Sequence, residues 1–331
     1  MRGGVKEVLI LSGVRTAVGD FGGSLRGVPP TRLGAVVAAE ATRGAGIAPD
    51  LVEHAVFGSV IHTEPRDAYL ARVIAVEAGV PVAAPAMTVN RLCGSGLQAI
   101  VSAAQLIQLG DVETALAGGV ECMSRAGYLL PTLRWGQRMG DAAAVDMLLG
   151  ALNDPFGNGH MGVTAENVAK KHRIDREAQD RLAVESHRRA ARAIAEQHFR
   201  TQIVPVEVTD GRGTRHFDAD EHVRADVKVE DLATLRPVFL KGGTVTPGNA
   251  SGINDGAAAL ILMEAHAVAR RGLVPLARVV AYAHAAVEPA EMGIGPVPAV
   301  RRVLERAGLT IDDLDVIEAN EAFAAQACAV T

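Results

Sequence analysis

Aromatic side chains are scarce: one Trp, three Tyr and seven Phe make up 3% of the 331 residues. Cysteine is scarcer. Cys93, Cys122 and Cys328 are too few, and odd in number, for a disulfide framework, and no pair has the C-x-x-C spacing of a structural zinc site. Basic charge is not in excess: 33 Lys and Arg against 38 Asp and Glu give a net charge of −5, which argues against a nucleic-acid partner. No uninterrupted apolar run approaches the ~18 residues of a membrane span; Ala257 to Met263 is among the longest. The opening MRGGVKEVLILSGVRT has about four apolar residues together, a short buried strand rather than a signal-peptide core. A cytoplasmic protein with no membrane and no nucleic-acid partner is expected. Walker A, G-x-S-x-G and H-E-x-x-H motifs are missing, and no G-x-G-x-x-G follows the first strand. Nucleotide loops, a hydrolase elbow and a zinc protease are thereby set aside. His62 and Glu64 lack a third ligand and read as turn residues, so no metal is expected.

What remains is a core of small residues, 49% hydrophobic with 35 glycines, suited to close helix–sheet packing in an α/β protein. Strands are expected at Val5 to Leu11, Val52 to Ile61 and Val112 to Ala117, the last closed by Gly118-Gly119. Helices alternate with them: Thr31, as a cap, to Gly44, then Ala68 to Ala78. That order implies parallel pairing through βαβ crossovers. Loops dominate from Met123 to Gly162. Helices follow over Val163 to His172 and, after the N-cap Asp175, from Arg176 to about His198. Arg188, Arg189 and Arg192 on the latter read as a solvated face.

One stretch carries chemistry. In MTVNRLCGSGLQAIVSAAQLIQLG, Met87 to Gly110, apolar residues lead into Asn90-Arg91, Cys93 and Gly94-Ser95-Gly96. Leu97, Ile100, Val101, Ala104 and Ile107 then recur at helical spacing. Strand, tight turn and buried helix place the thiol at a helix entrance, where unpaired N–H groups favour a thiolate and lower the thiol pKa. A packed core cysteine is the alternative. Gly-Ser-Gly, which lets substrate atoms approach closely, favours a nucleophile.

The chain also repeats itself. GAVVAAEATRGAGIAPDLVEHAVFGS from Gly34 parallels VPAVRRVLERAGLTIDDLDVIEAN from Val297 at an offset of about 262 positions. Both read as helix, acidic turn and strand, the second strand at Val316-Ile317. Two similar halves would pack as a pseudo-dimer, and the second copy stops about halfway. A fragment or a shortened copy is expected.

Five motifs, NRLCGSGLQAI, GHMGVTAENVAKK, TVTPGNASGINDGAAA, MGIGPVPA and EANEAFAAQACAV, occur in the order found in thiolases, and the chain resembles that family throughout. Among its members the resemblance points to bacterial beta-ketothiolases and acetyl-CoA acetyltransferases. It implies an α/β fold of duplicated thiolase halves, with pseudo-two-fold mixed five-stranded sheets and an inserted loop domain, the second half incomplete. Residues 1–121 would be the N-terminal half, 122–250 the CoA-binding loop domain and 251–331 the start of the C-terminal half. The implied activity is reversible formation of 3-ketoacyl-CoA through a cysteine acyl-enzyme, with acyl-CoA as partner and no cofactor. A homo-oligomer, dimer or tetramer, is implied, with the Met123 to Gly140 loop as a candidate contact.

By resemblance Cys93 carries the acyl group, its N–H lines one oxyanion site, and Asn320 holds a water at a thioester oxygen. His160 and Met161 line the pantetheine channel, Ser251 contacts the pantetheine chain, and Phe239 and Gly252 are further CoA-binding residues. Met292 and Phe323 stand near the acyl end, and Arg224 lies beside the adenine. Asp231 and Pro247 depart from the family pattern and put CoA affinity in question. A G-H-P histidine and a C-x-G cysteine, which the family carries downstream, are not found. An inactive acyl-CoA-binding or subunit-interaction protein is therefore the alternative. A ketoacyl synthase is disfavoured by HMGVTAENV.

Overall fold

The computed structural model describes residues 5–211 and 213–331. In chain order its main elements begin with strand β1 (Val8–Thr16), helix α1 (Pro30–Gly44), β2 (His54–Gly58), α2 (Leu70–Glu77), β3 (Ala86–Val89), α3 (Ser95–Leu109) and β4 (Thr114–Cys122). There follow α4 (Met161–His172), α5 (Arg176–Ala195), β5 (Ile203–Val204), the hairpin β6 (Val206–Asp210) and β7 (Gly213–Phe217), and the short helix α6 (Val229–Ala233). Next come β8 (Asn254–Glu264), α7 (Ala265–Arg271), β9 (Ala277–Arg278), α8 (Pro296–Ala307) and α9 (Ala324–Val330). Short strands, 3₁₀ turns and one short helix, Met147–Leu152, fill 123–160, where loops were expected to dominate. The chain divides into two compact units, one of Met1–Leu148, Phe199–His222 and Ile253–Val279, the other of Leu149–His198, Val223–Gly252 and Val280–Thr331.

The first unit is built on a mixed sheet ordered β5-β1-β8-β4-β2-β3. The β4-β2-β3 pairs are parallel, as βαβ crossovers require. At the centre β8, which lay outside that expectation, runs antiparallel to both β1 and β4, so the sheet is mixed as the resemblance implied. Side chains alternate between two faces. Ala257, Ala259, Ile261 and Met263 of β8 join Phe57, Leu116 and the inner faces of α1 and α2. Leu262 joins Val8, Val56, Ala115 and Ala117 under Ala99, Ala103, Ala104 and Ile107 of α3. Alanines on both sides bring α3 and the sheet into close contact, which explains the shortage of aromatics.

Several boundaries move for physical reasons. β1 begins at Val8 and runs on to Thr16, because Val8 to Arg15 pairs with β8 across a bulge at Ile10/Ser12 and Arg15-Thr16 pairs with β5. Gly118-Gly119 does not end its strand but lies inside β4. A Cβ on Gly118 would collide with the Phe57 ring and the Ala258 carbonyl, so the glycine is demanded by packing. Thr31 is no cap: α1 starts after Pro29 with Pro30 at its first turn, and Thr31 is buried. The 18 residues Leu92–Leu109 are apolar and long enough to cross a membrane by length and composition, although no unbroken apolar run is. In the unit, the Ala99–Ile107 face of this segment packs on the sheet.

In the second unit α4, α5 and α9 surround a small core of Ala165, Ala169, Val245 and Ala325, flanked by Phe239 and Phe323. Asp175 caps α5 as expected, its carboxylate accepting from the Ala178 N–H at 2.7 Å. The Arg188 and Arg189 side chains are exposed and paired with Glu185. The repeat holds locally: α1 and α8 are each followed by a glycine at φ +68°, Gly46 and Gly308, and by a 3₁₀ turn, Pro49–Leu51 and Ile311–Asp313. It then diverges. Val316 and Ile317 form no strand and are 80% and 60% exposed, whereas the matching β2 is almost wholly buried in a sheet. Without strand neighbours an extended segment has no ladder to join.

Candidate active site

Cys93 sits where the sequence placed it, in a turn between β3 and α3, and it is exposed. The turn is strapped by side chains. Asn90 Oδ1 accepts from the Leu92 N–H at 2.9 Å. Ser95 Oγ accepts from the Arg91 N–H at 2.8 Å and donates to the Leu92 carbonyl at 2.6 Å. These bonds hold Leu92 at φ +48°, a left-handed conformation that a branched side chain adopts only under constraint. Gly94 is the N-cap of α3, so the thiol stands one residue ahead of the helix.

The glycines that make the closest approach are on the sheet. A Cβ on Gly58 would lie 2.5 Å from the Ser95 carbonyl carbon and 2.8 Å from the Gly96 nitrogen. One on Gly119 would lie 3.2 Å from the Gly96 Cα, whereas Gly96 itself faces open space. Gly58 and Gly119 thus seat the first turn of α3 directly on β2 and β4. Gly58→Ala is expected to destabilise the protein by about 1–3 kcal/mol, since the obstructing atoms are backbone and cannot rotate away. Urea unfolding checks this, with a change in the Cys93 alkylation rate reporting displacement of the turn.

The other thiols differ. Cys122 is buried, and burial pushes its thiol well above the ordinary range. Burial also raises the Cys328 thiol, which packs within α9 with its sulfur 4.0 Å from the Ala178 carbonyl. Neither is poised to act as a nucleophile.

The second unit gathers most of the remaining candidates. His160 precedes α4 and caps it, Nδ1 accepting from the Gly162 N–H at 3.0 Å. Its ring stacks on Phe239 at 4.7 Å between centroids, and Phe239 meets Phe323 edge-on at 6.1 Å. A Cβ on Gly162 would run into the Phe239 ring, which explains the glycine of the H-M-G stretch. Met161 opens α4, and the 3₁₀ turn Pro289–Ile294 bearing Met292 packs beside that helix through Asn167 Nδ2 to the Ala290 carbonyl at 3.0 Å. Gly293 allows this turn to lie against Gln326 of α9.

Loop 244–252 runs antiparallel to the segment after Asn320. The Ser251 N–H donates to the Ala322 carbonyl at 3.0 Å, Ala250 bridges Phe323, and the Ala324 N–H donates to the Asn249 carbonyl at 2.9 Å. Ser251, Gly252 and Phe323 are therefore brought together. Asn320 is exposed in the irregular stretch just before, next to Glu321, which accepts from Ser186 Oγ at 2.6 Å. Arg224 is exposed, and its backbone N–H donates to His187 Nδ1 at 3.2 Å.

Both departures have a local use. Asp231 Oδ2 accepts from the Lys228 N–H at 3.0 Å and caps α6, so its charge is engaged within its own turn. Pro247 follows Thr246 in a turn closed by the Asn249 N–H to the Thr246 carbonyl at 3.2 Å, the position where a fixed φ is favourable.

Burial lowers the His160 pKa, and a neutral ring is needed for Nδ1 to accept. Because the folded value lies below the ordinary one of about 6.5, this cap contributes stability above that pH and loses it as pH falls through the folded value. Asn also caps but does not titrate. The melting temperature of the wild type relative to His160→Asn is therefore expected to drop on acidification below about pH 6.5.

Sequence reasoning missed Gly58, Gly162 and Glu166, although each lies inside a quoted motif or strand. Periodicity reports which face a residue is on, but not that a glycine is forced by a neighbour distant in sequence.

The first unit thus presents an exposed cysteine at a helix entrance on a mixed α/β sheet. Residues 8–266 match the family model for the thiolase N-terminal domain, and residues 273–331 match that for the thiolase C-terminal domain. A beta-ketothiolase of Cupriavidus necator, BktB, is 63% identical over 327 residues, 98% of this chain and 83% of that protein. An acetyl-CoA acetyltransferase of Pseudomonas aeruginosa is 48% identical, with 98% and 83% covered. The crystal structure of Bacillus anthracis acetyl-CoA acetyltransferase matches at a TM-score of 0.96 and 45% identity, with 99% and 83% covered. That of human mitochondrial 3-ketoacyl-CoA thiolase in complex with CoA matches at 0.95 and 40%, with 98% and 82% covered. The chain belongs to the thiolase family.

Proposed function

We propose that Cys93 carries the acyl group in the reaction by which this thiolase-family acyltransferase forms or cleaves 3-ketoacyl-CoA. The observation that carries the reading is the exposed Cys93 in its strapped turn ahead of α3. In the first half-reaction the Cys93 sulfur attacks the thioester carbonyl, the bond to the CoA sulfur breaks, and CoA leaves with a proton. In the second, the α-carbon of acetyl-CoA, having given up a proton, attacks the acyl carbonyl. A carbon–carbon bond forms, the carbon–sulfur bond to Cys93 breaks, and the departing thiolate takes up a proton in place of the one the α-carbon gave up, which restores the thiol. Thiolysis is the same path reversed.

Asn320 in this reading holds a water that polarises a thioester oxygen, and the Cys93 N–H serves the other oxyanion site. His160, Met161, Phe239, Ser251 and Gly252 bind the pantetheine arm, Met292 and Phe323 the acyl end, and Arg224 the adenine. The His160–Phe239–Phe323 stack and the 249–251 pairing with 322–324 support this grouping. The reaction requires no metal or organic cofactor, because the thioester itself supplies the reactive carbonyl. A homo-oligomer in the cytoplasm completes the reading; three free thiols suit a reducing compartment. The test is acetyl-CoA-dependent acylation of the protein, which the reading expects at one cysteine per chain. CoA binding without acylation would favour an inactive acyl-CoA-binding protein.

A further inference from the structure

Glu166 is 6% exposed on α4, in the motif that also carries His160 and Met161. Its carboxylate points its hydrogen-bonding capacity at the start of loop 244–252. Oε1 accepts from the N–H groups of Thr244 and Val245, each at 2.8 Å. Oε2 accepts from the Thr244 N–H and hydroxyl, each at 2.9 Å. Gly243 makes room for this: a Cβ there would press on Glu166 Oε1. A second anchor comes from α5, where Gln179 Nε2 donates to Thr244 Oγ1 at 2.9 Å and Asp180 Oδ1 accepts from Asn249 Nδ2 at 2.8 Å. The far end of the loop is the strand-like pairing that carries Ser251 and Phe323.

A buried carboxylate deprived of its donors is costly, so the loop cannot leave Glu166 without leaving a bare charge behind. We propose that Glu166 is a positioning residue for the CoA-binding loop, fixing Ser251 and Gly252 before substrate arrives without touching substrate itself. This rests on the reading that Ser251 contacts the pantetheine arm. Preorganisation of this kind lowers the entropic cost of binding and leaves the chemical step alone.

Steady-state kinetics with acetyl-CoA test it. Glu166→Gln and Gly243→Ala, which disturb the same contact from opposite sides, are each expected to raise KM about tenfold with kcat within about twofold. Iodoacetamide should alkylate Cys93 in both at the wild-type rate. Ser251→Ala should raise KM in the wild type and add little in Glu166→Gln, because the loop is already displaced. If Glu166→Gln fails to fold, Thr244→Val removes one donor while leaving the carboxylate paired, and a raised KM with unchanged kcat is expected there too. Wild-type KM in Glu166→Gln beside a raised KM in Ser251→Ala would overturn the positioning role alone. Wild-type KM in Ser251→Ala would instead contradict the placing of Ser251 on CoA.

Discussion

Cys93→Ala is expected to lower kcat by about 10³-fold or more, because in the proposed mechanism it removes the atom to which the acyl group is transferred. The loss should not come from unfolding. Every bond that shapes the turn, from Asn90 Oδ1 to Leu92 and from Ser95 Oγ to Arg91 and Leu92, leaves the Cys93 side chain out. The side chain is also exposed, so its removal opens no cavity in the core. Circular dichroism and urea midpoints of the variant should match the wild type while CoA release disappears. Cys122 and Cys328 cannot substitute, since burial raises both thiols. Cys93→Ser should be nearly as impaired, because a hydroxyl of ordinary acidity is a far weaker nucleophile without an activating base.

In the proposed mechanism Asn320→Ala is expected to lower kcat by about 10²–10³-fold with a small change in KM, the cost of losing the held water as an oxyanion donor. Asn320→Asp should be no better, because a carboxylate sets negative charge near a developing oxyanion. The fold again does not depend on the side chain in question. Around it, Ser186 holds Glu321, and backbone bonds hold 322–324 to 249–251. A kcat that stays at the wild-type level would remove Asn320 from the reaction, and a rise in KM alone would make it a binding residue.

What could be read from the chain, and what could not, follows from the range of the forces involved. The Cys93 turn, the α3 pattern and the Asp175 cap are set by residues within a few positions of one another, and they were legible. The resemblance carried by five motifs gave the family and its fold. The antiparallel placing of β8 was not legible: an apolar run such as Ala257–Met263 says that a strand is buried, but not which neighbours it meets or in which direction. Gly118 was read as a strand end because glycine usually weakens strands, whereas here the Phe57 ring demands it. Val316-Ile317 has strand composition yet forms none, since β-propensity is expressed through packing and pairing. Glu166 drew no reading, because its three donors lie some eighty residues away.

The most direct measurement is a peptide map of the protein quenched in acid after brief exposure to acetyl-CoA alone. The expected result is one acetyl group per chain on the peptide containing Cys93, lost on addition of free CoA and absent from Cys93→Ala. Acetylation elsewhere in the chain, or stoichiometric acetylation that persists in Cys93→Ala, would contradict the central role given to this thiol.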